Sequence, residues 1–96
     1  MKAKEIGRRF KLAREFALRI ADRCDFIMAE SIGKAPVSFG EDFAIVGVDV
    51  KDNVEVAQVM CAFVYGATMA GLSFERSALE DVEHDGVRTV IMTLKI

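Results

Sequence analysis

The chain has one histidine, His84, two cysteines, Cys24 and Cys61, and an acidic run formed by Glu80, Asp81, Glu83 and Asp85. A catalytic histidine needs a nucleophile or an orienting acid within reach. His84 precedes Asp85-Gly86, a strong tight-turn signal, so its imidazole is expected in solvent at a hairpin tip. Asp85 is adjacent, and adjacent strand residues point to opposite faces. Two cysteines and one histidine lack zinc-ligand spacing. The acidic run lacks the calcium-loop pattern and reads as a solvated edge that discourages strand-edge aggregation. The sequence has no glycine-rich phosphate loop and no glycine-bracketed nucleophile. No catalytic residue, metal ligand or cofactor is assigned, and a non-enzymatic function is expected.

Charge distribution is the stronger functional signal. The formal net charge is −2, but residues 1–23 carry eight basic groups against three acidic ones, and residues 24–96 carry five against twelve. The basic half contains a candidate binding row. Lys4, Arg8, Lys11, Arg19 and Arg23 project to one side of a helix, where phosphates or an acidic protein could bind. Against this, Glu15 stands four residues from both Lys11 and Arg19, Glu5 stands four from Arg9, and Asp22 lies on the same side. A sequence pI of about 5.4 is wrong for a dedicated DNA binder, and no aromatic is interleaved on that side for base stacking. An ordinary solvated face is the first reading of this row, an acidic protein partner the second and nucleic acid the third.

These side chains must be carried by a small number of elements. Residues 3 to about 31 read as one helix. Ala3, Ile6, Phe10, Ala13, Ala17, Ile20, Cys24 and Ile27 recur at spacings of three and four, a heptad-like seam. Such a helix would be roughly 43 Å long, against a radius of gyration of about 13 Å for a domain of this size. It must overhang the body, break, or lie against a second subunit, and an overhang that meets a partner is preferred. Gly33, with Pro36 beyond, is the helix stop. Residues 37–50 read as strand, with a short first strand, a turn at Gly40-Glu41-Asp42 and alternation from Phe43 to Val50.

The stretch Val54–Leu72 is a second helix, and the chain is organised around it. Asp52 or Asn53 caps it, Glu55 completes a capping box with Asp52, and Gly71 ends it. One apolar stripe is Val56, Met60, Phe63, Ala67 and Ala70; another is Val54, Ala57, Cys61, Val64 and Thr68. A helix that is apolar all round is expected to be covered on nearly all sides. The uncharged run from Val56 to Ser73 is 18 residues, borderline for a membrane span, but Glu55 and Glu75 flank it with no basic cluster. Ala62, Gly66 and Ala70 make one side thin and could meet Ala13, Ala17 and Ala21. Cys24 and Cys61 both fall in apolar stripes and are expected to be reduced core residues. With no signal peptide, this points to a cytoplasmic protein.

Residues 72–83 alternate poorly, and Ser77 with Glu80 offers a short helix as an alternative to a strand. Asp85-Gly86 then leads into a convincing last strand from Val87 to Ile96.

The expected fold is α+β over residues 1–96 as a single domain. A long N-terminal helix and a buried second helix pack on one face of a small antiparallel sheet of three or four strands, in the order α-β-α-β-β. The unit strand–helix–strand–strand resembles half of a ferredoxin-like sandwich, as in ACT domains, in element order alone. That resemblance implies helices on one sheet face and allows ligand sites at subunit seams. The other sheet face, with Phe43, Ile45, Val87 and Ile91, is expected to stay partly exposed and to mark a contact surface. The reading is a small homo-oligomeric interaction or regulatory protein that binds or inhibits a larger protein partner. Its interface is placed at Ile6, Phe10, Phe16, Phe43, Ile45 and Ile91. Nucleic-acid or nucleotide binding on the basic helix is the alternative.

Overall fold

The computed structural model describes residues 3–73 and 75–96, so Lys2 of the basic segment and Phe74 of the weakly patterned segment lie outside the described residues. The N-terminal rod is two helices, not one. α1 spans Ala3–Arg23 and α2 spans Ala29–Lys34. Between them Asp25 takes a left-handed conformation, φ 53°. Its N–H donates to the Asp22 carbonyl (3.2 Å), and the Phe26 N–H donates to the Ala21 carbonyl (2.9 Å). This pair of bonds satisfies the carbonyls that a helix end leaves open, and the chain turns back. At 1.5 Å per residue α1 is about 31 Å long. Its buried positions run from Ile6 to Ala21, so it lies on the body over nearly all of that length and the expected overhang does not exist.

β1 (Val37–Phe39) and β2 (Phe43–Val50) form an antiparallel hairpin in which Phe39 pairs with Ala44. α3 (Asn53–Met69) follows. The Asp52 side chain accepts from the Glu55 N–H (2.9 Å), and Glu55 Oε1 accepts from the Lys51 N–H (2.9 Å). The box therefore closes one residue outside the expected capping position. Gly71, φ 75°, ends α3 with the same bond pattern as Asp25: its N–H donates to Thr68, and Leu72 donates to Ala67.

β3 (Ser77–His84) and β4 (Val87–Lys95) complete the sheet, with His84 paired to Val87. The two-residue turn between them has φ 51° at Asp85 and 79° at Gly86, the type I′ geometry that an Asp-Gly pair favours. The Ser77–Glu80 segment is therefore strand rather than helix.

Strand order is β1-β2-β4-β3, every neighbouring pair antiparallel. β2 and β3 thus run the same way with β4 between them, joined by α3. Helices cover one face only. Ala44, Val46, Val48 and Val50 of β2 and Val90, Met92 and Leu94 of β4 are buried beneath them. α1 adds Ile6, Phe10, Ala13, Ala17 and Ala21, and α3 adds Val56, Val59, Ala62, Phe63, Gly66 and Ala67.

α1 and α3 run antiparallel. Met28 N–H donates to Gln58 Oε1 (3.3 Å), Ala13 and Ala17 face Gly66, and Arg9 Nη1 reaches the Gly71 carbonyl (3.5 Å). The two thin strips do meet. A Cβ added at Gly66 would lie 2.1 Å from the Ala13 carbonyl oxygen. Arg14 ties α2 down by donating from Nη1 to the Gly33 carbonyl (2.7 Å). No helix among the described residues is long and apolar enough to cross a membrane.

Candidate interaction surfaces

The helix seam is used up inside the chain. Ile6 and Phe10 were expected at an oligomer interface, but they are among the most deeply buried side chains of the core. They belong to the buried face of α1, which joins α3 and the inner sheet residues in one core, so neither side chain is available to a second subunit. The seam also drifts. After Ala17 the buried position is Ala21 and not Ile20, as a straight helix of 3.6 residues per turn requires. Beyond Arg23 the seam is lost, with Cys24 exposed and Ile27 72 % exposed.

Three surfaces remain outside the core. The first is the uncovered face of the sheet. Cross-strand pairing brings Ile45 opposite Thr93, Gly47 opposite Ile91, and Ile91 opposite Glu80, with Phe43 and Val87 at the two ends. Phe43, Ile45 and Ile91 therefore share one surface. Ile45 and Ile91 are half-buried by their neighbours, whereas Phe43 and Val87 are exposed. Asp49, Glu80 and Lys95 stand around this apolar strip, and Asp49 Oδ1 accepts from Thr89 Oγ1 (2.9 Å).

The second is the outward side of α3. Val54, Ala57, Cys61, Val64 and Thr68 are all exposed, and Tyr65 and Met69 join them. Within the single chain, therefore, α3 is covered on the side that meets α1 and the sheet and not on its outward side. Its thin strip chooses which side packs on α1, and the opposite side is left open. Cys61 is exposed for that reason, and Cys24 because α1 ends beside it, so neither is a core residue. Beside the stripe, Phe16, Ile20, Tyr65 and Met69 line an apolar groove between α1 and α3, with Arg19 and Arg23 on its rim.

The third is the basic row. Lys4, Arg8, Lys11, Arg19 and Arg23 are all exposed, and among the described residues none has an ion-pair partner. Glu15 pairs with Arg14 (2.6 Å) instead of Lys11 or Arg19, while Glu5 pairs with Arg9 (3.0 Å) as its spacing suggests. Aromatics do lie under this row. Lys11 sits 5.4 Å from the Phe39 ring and Arg19 5.4 Å from the Phe16 ring. Phe39 could not be seen from the helix sequence because it arrives from β1.

His84, the one histidine, and its neighbour Asp85 sit at the β3–β4 turn. His84 Nε2 and Asp85 Oδ2 are 3.3 Å apart, closer than strand alternation allows, because Asp85 is a turn residue. Both side chains are about nine-tenths exposed, at 91 % and 89 %. Water at that exposure competes for every proton, and no third described group orients the pair. Of the acidic run, Asp81 turns to the helix side and is held by Arg88, whose Nη2 donates at 2.6 Å and Nε at 2.9 Å. Arg88 also donates to Asn53 Oδ1 (2.9 Å), joining β4 and β3 to the start of α3. These hydrogen bonds hold the Asp81 carboxyl below its ordinary range. Comparison with protein-family models, curated proteins and solved structures finds no match for this chain.

Proposed function

We propose that this chain is a small, non-enzymatic interaction protein that self-associates and binds or inhibits a larger protein partner. One observation carries the reading: the uncovered sheet face and the outward side of α3 each keep an apolar strip that the chain does not cover itself. Patches of that kind mark contact surfaces when polar residues rim them. On the sheet, Phe43, Ile45 and Ile91 form the strip, and Asp49, Glu80 and Lys95 form the rim. The partner docks on this face.

The test is paired capture from a native lysate, using the wild-type chain and Ile91→Lys as baits. A protein retained by the first and released by the second supports the reading, provided both baits show the same circular dichroism. Equal retention by both removes the sheet face from the proposal. A second reading is favoured by the unpaired basic row with its two flanking rings. In it, α1 binds the phosphates of a nucleic acid. Binding would then weaken steeply with salt and fall on Arg8→Glu or Arg19→Glu. Absence of a mobility shift at low salt would end it.

A further inference from the structure

β3 closes one side of the sheet, and among the described residues nothing covers its outer edge. Strand geometry fixes which of its backbone groups are left over. The two-residue turn makes His84 and Val87 a hydrogen-bonded pair, and bonding alternates along the register from there. Ala78, Glu80 and Val82 therefore bond to β4, and the Lys95 N–H donating to the Arg76 carbonyl (2.7 Å) keeps the same alternation. Leu79, Asp81 and Glu83 turn their N–H and C=O groups outward.

An apolar recess lies beside this open edge. Phe63, Val64 and Ala67 of α3 stand over Leu79 and Met92 around a half-open cavity of about 50 Å³. That is several times the roughly 10–15 Å³ one water takes up. Its walls offer water little: the Ser77 hydroxyl already donates to the Ser73 carbonyl (2.9 Å). Val64 also belongs to the outward stripe of α3, so stripe and strand edge border one groove. We propose that this groove binds an extended basic segment of a partner protein, which adds to β3 as a fifth strand and sets an apolar side chain in the recess.

Charge selects the occupant. β3 carries Glu80, Asp81 and Glu83 and has no lysine or arginine. Asp81 is taken by Arg88, whereas Glu80 and Glu83 have no ion-pair partner among the described residues. Glu80 points to the uncovered sheet face and Glu83 to the helix side, so a lysine or arginine on either side of the added strand meets a carboxylate. A second copy fits poorly. β3 against its own copy brings carboxylate to carboxylate. β1, the other edge, has three residues and is about 10 Å long, against about 27 Å for the eight of β3. In strand addition the main-chain bonds supply affinity, and the side-chain pockets choose the sequence. The site is the edge of the sheet, not its face, so it goes beyond the docking surface assigned above.

The probe is a capped, fluorescent heptapeptide alternating lysine and valine, added to the full chain at low salt. Anisotropy should show saturable binding. Replacing the lysines by glutamates should weaken it by roughly tenfold or more, and so should placing the same lysines and valines in two blocks, which breaks the alternation. Val64→Lys, at an exposed position, should weaken it by roughly fivefold while circular dichroism stays unchanged. Amide exchange read by NMR carries the signature: the peptide should slow Leu79, Asp81 and Glu83 and leave Ala78, Glu80 and Val82 as they were. Equal binding of the block peptide, protection without that alternation, or no saturable binding would each overturn strand addition at β3. Capture with Ile91→Lys tests the sheet face separately, so either reading can fail without the other.

Discussion

Gly66→Ala separates two opposing effects of known sign. In a helix interior, alanine is favoured over glycine by about 1 kcal/mol, so propensity alone makes the variant more stable. The packing says otherwise. The new Cβ would stand 2.1 Å from the Ala13 carbonyl oxygen and 3.0 Å from the Ala17 nitrogen, where ordinary contact begins at 3.4 Å. Both obstacles are backbone, so no rotamer change relieves them, and α1 must move off α3 by about 1 Å. A gap of about 0.5–1 Å forfeits a quarter to a half of each dispersion contact along the interface. Overpacking of this kind costs about 1–3 kcal/mol, occasionally more, and a backbone clash belongs at the upper end. After the propensity gain, a net loss of about 2 kcal/mol remains. For a chain of this size that lowers the melting temperature by roughly 8–16 °C. Thermal circular dichroism and a urea titration read it directly, with the midpoint lower and the slope unchanged. Gly33→Ala is the control, because its Cβ would meet only the flexible end of Leu18 at 3.2 Å. A Gly66→Ala protein as stable as wild type, or more so, would refute the close backbone contact between α1 and α3.

Three further outcomes are expected. Asp25→Gly should stabilise the chain by roughly 0.5–1 kcal/mol, because Asp25 holds a left-handed conformation that suits glycine; chemical denaturation measures the shift. Asp52→Ala removes the acceptor for the Glu55 N–H and should cost about 1 kcal/mol, read as a lower urea midpoint. Asp81→Asn should be less stable than wild type at neutral pH. Because Arg88 holds the Asp81 carboxyl below its ordinary range, that contribution is present above the unfolded carboxyl's pKa and is lost as pH falls through the depressed native value. The two proteins should therefore converge in acid, and denaturation at a series of pH values tests this.

Local signals with a single physical meaning were legible. Asp85-Gly86 permits few backbones and formed the expected turn, and Asp52 with Glu55 capped α3. The two thin strips found each other because only small residues let helices come so close. The α+β arrangement, with helices on one face of a four-stranded antiparallel sheet, followed from these elements. The break at Asp25 was hidden because the stop is neither glycine nor proline. Its trace was an aspartate followed by the apolar Phe26, which packs against the core. β3 alternated poorly because it is an edge strand, with only Ser77, Leu79 and Val82 even partly buried. On α3 both stripes were apolar, so pattern alone gave no reason to leave Cys61 outside. That choice was made by Gly66 against Ala13, a contact between distant parts of the chain.

The pairing of α1 with α3 also has a cost in time. During synthesis α1 is complete at Arg23, but the helix that shelters Ile6 and Phe10 ends only at Met69, 46 residues later. At about 5–20 residues per second, the ribosome leaves the nascent α1 waiting roughly 2–9 s with its apolar side bare. In that interval the segment is a basic amphipathic helix without a mate. It is then a natural client for a holdase chaperone, and its own core forms only when the second half of the polypeptide arrives.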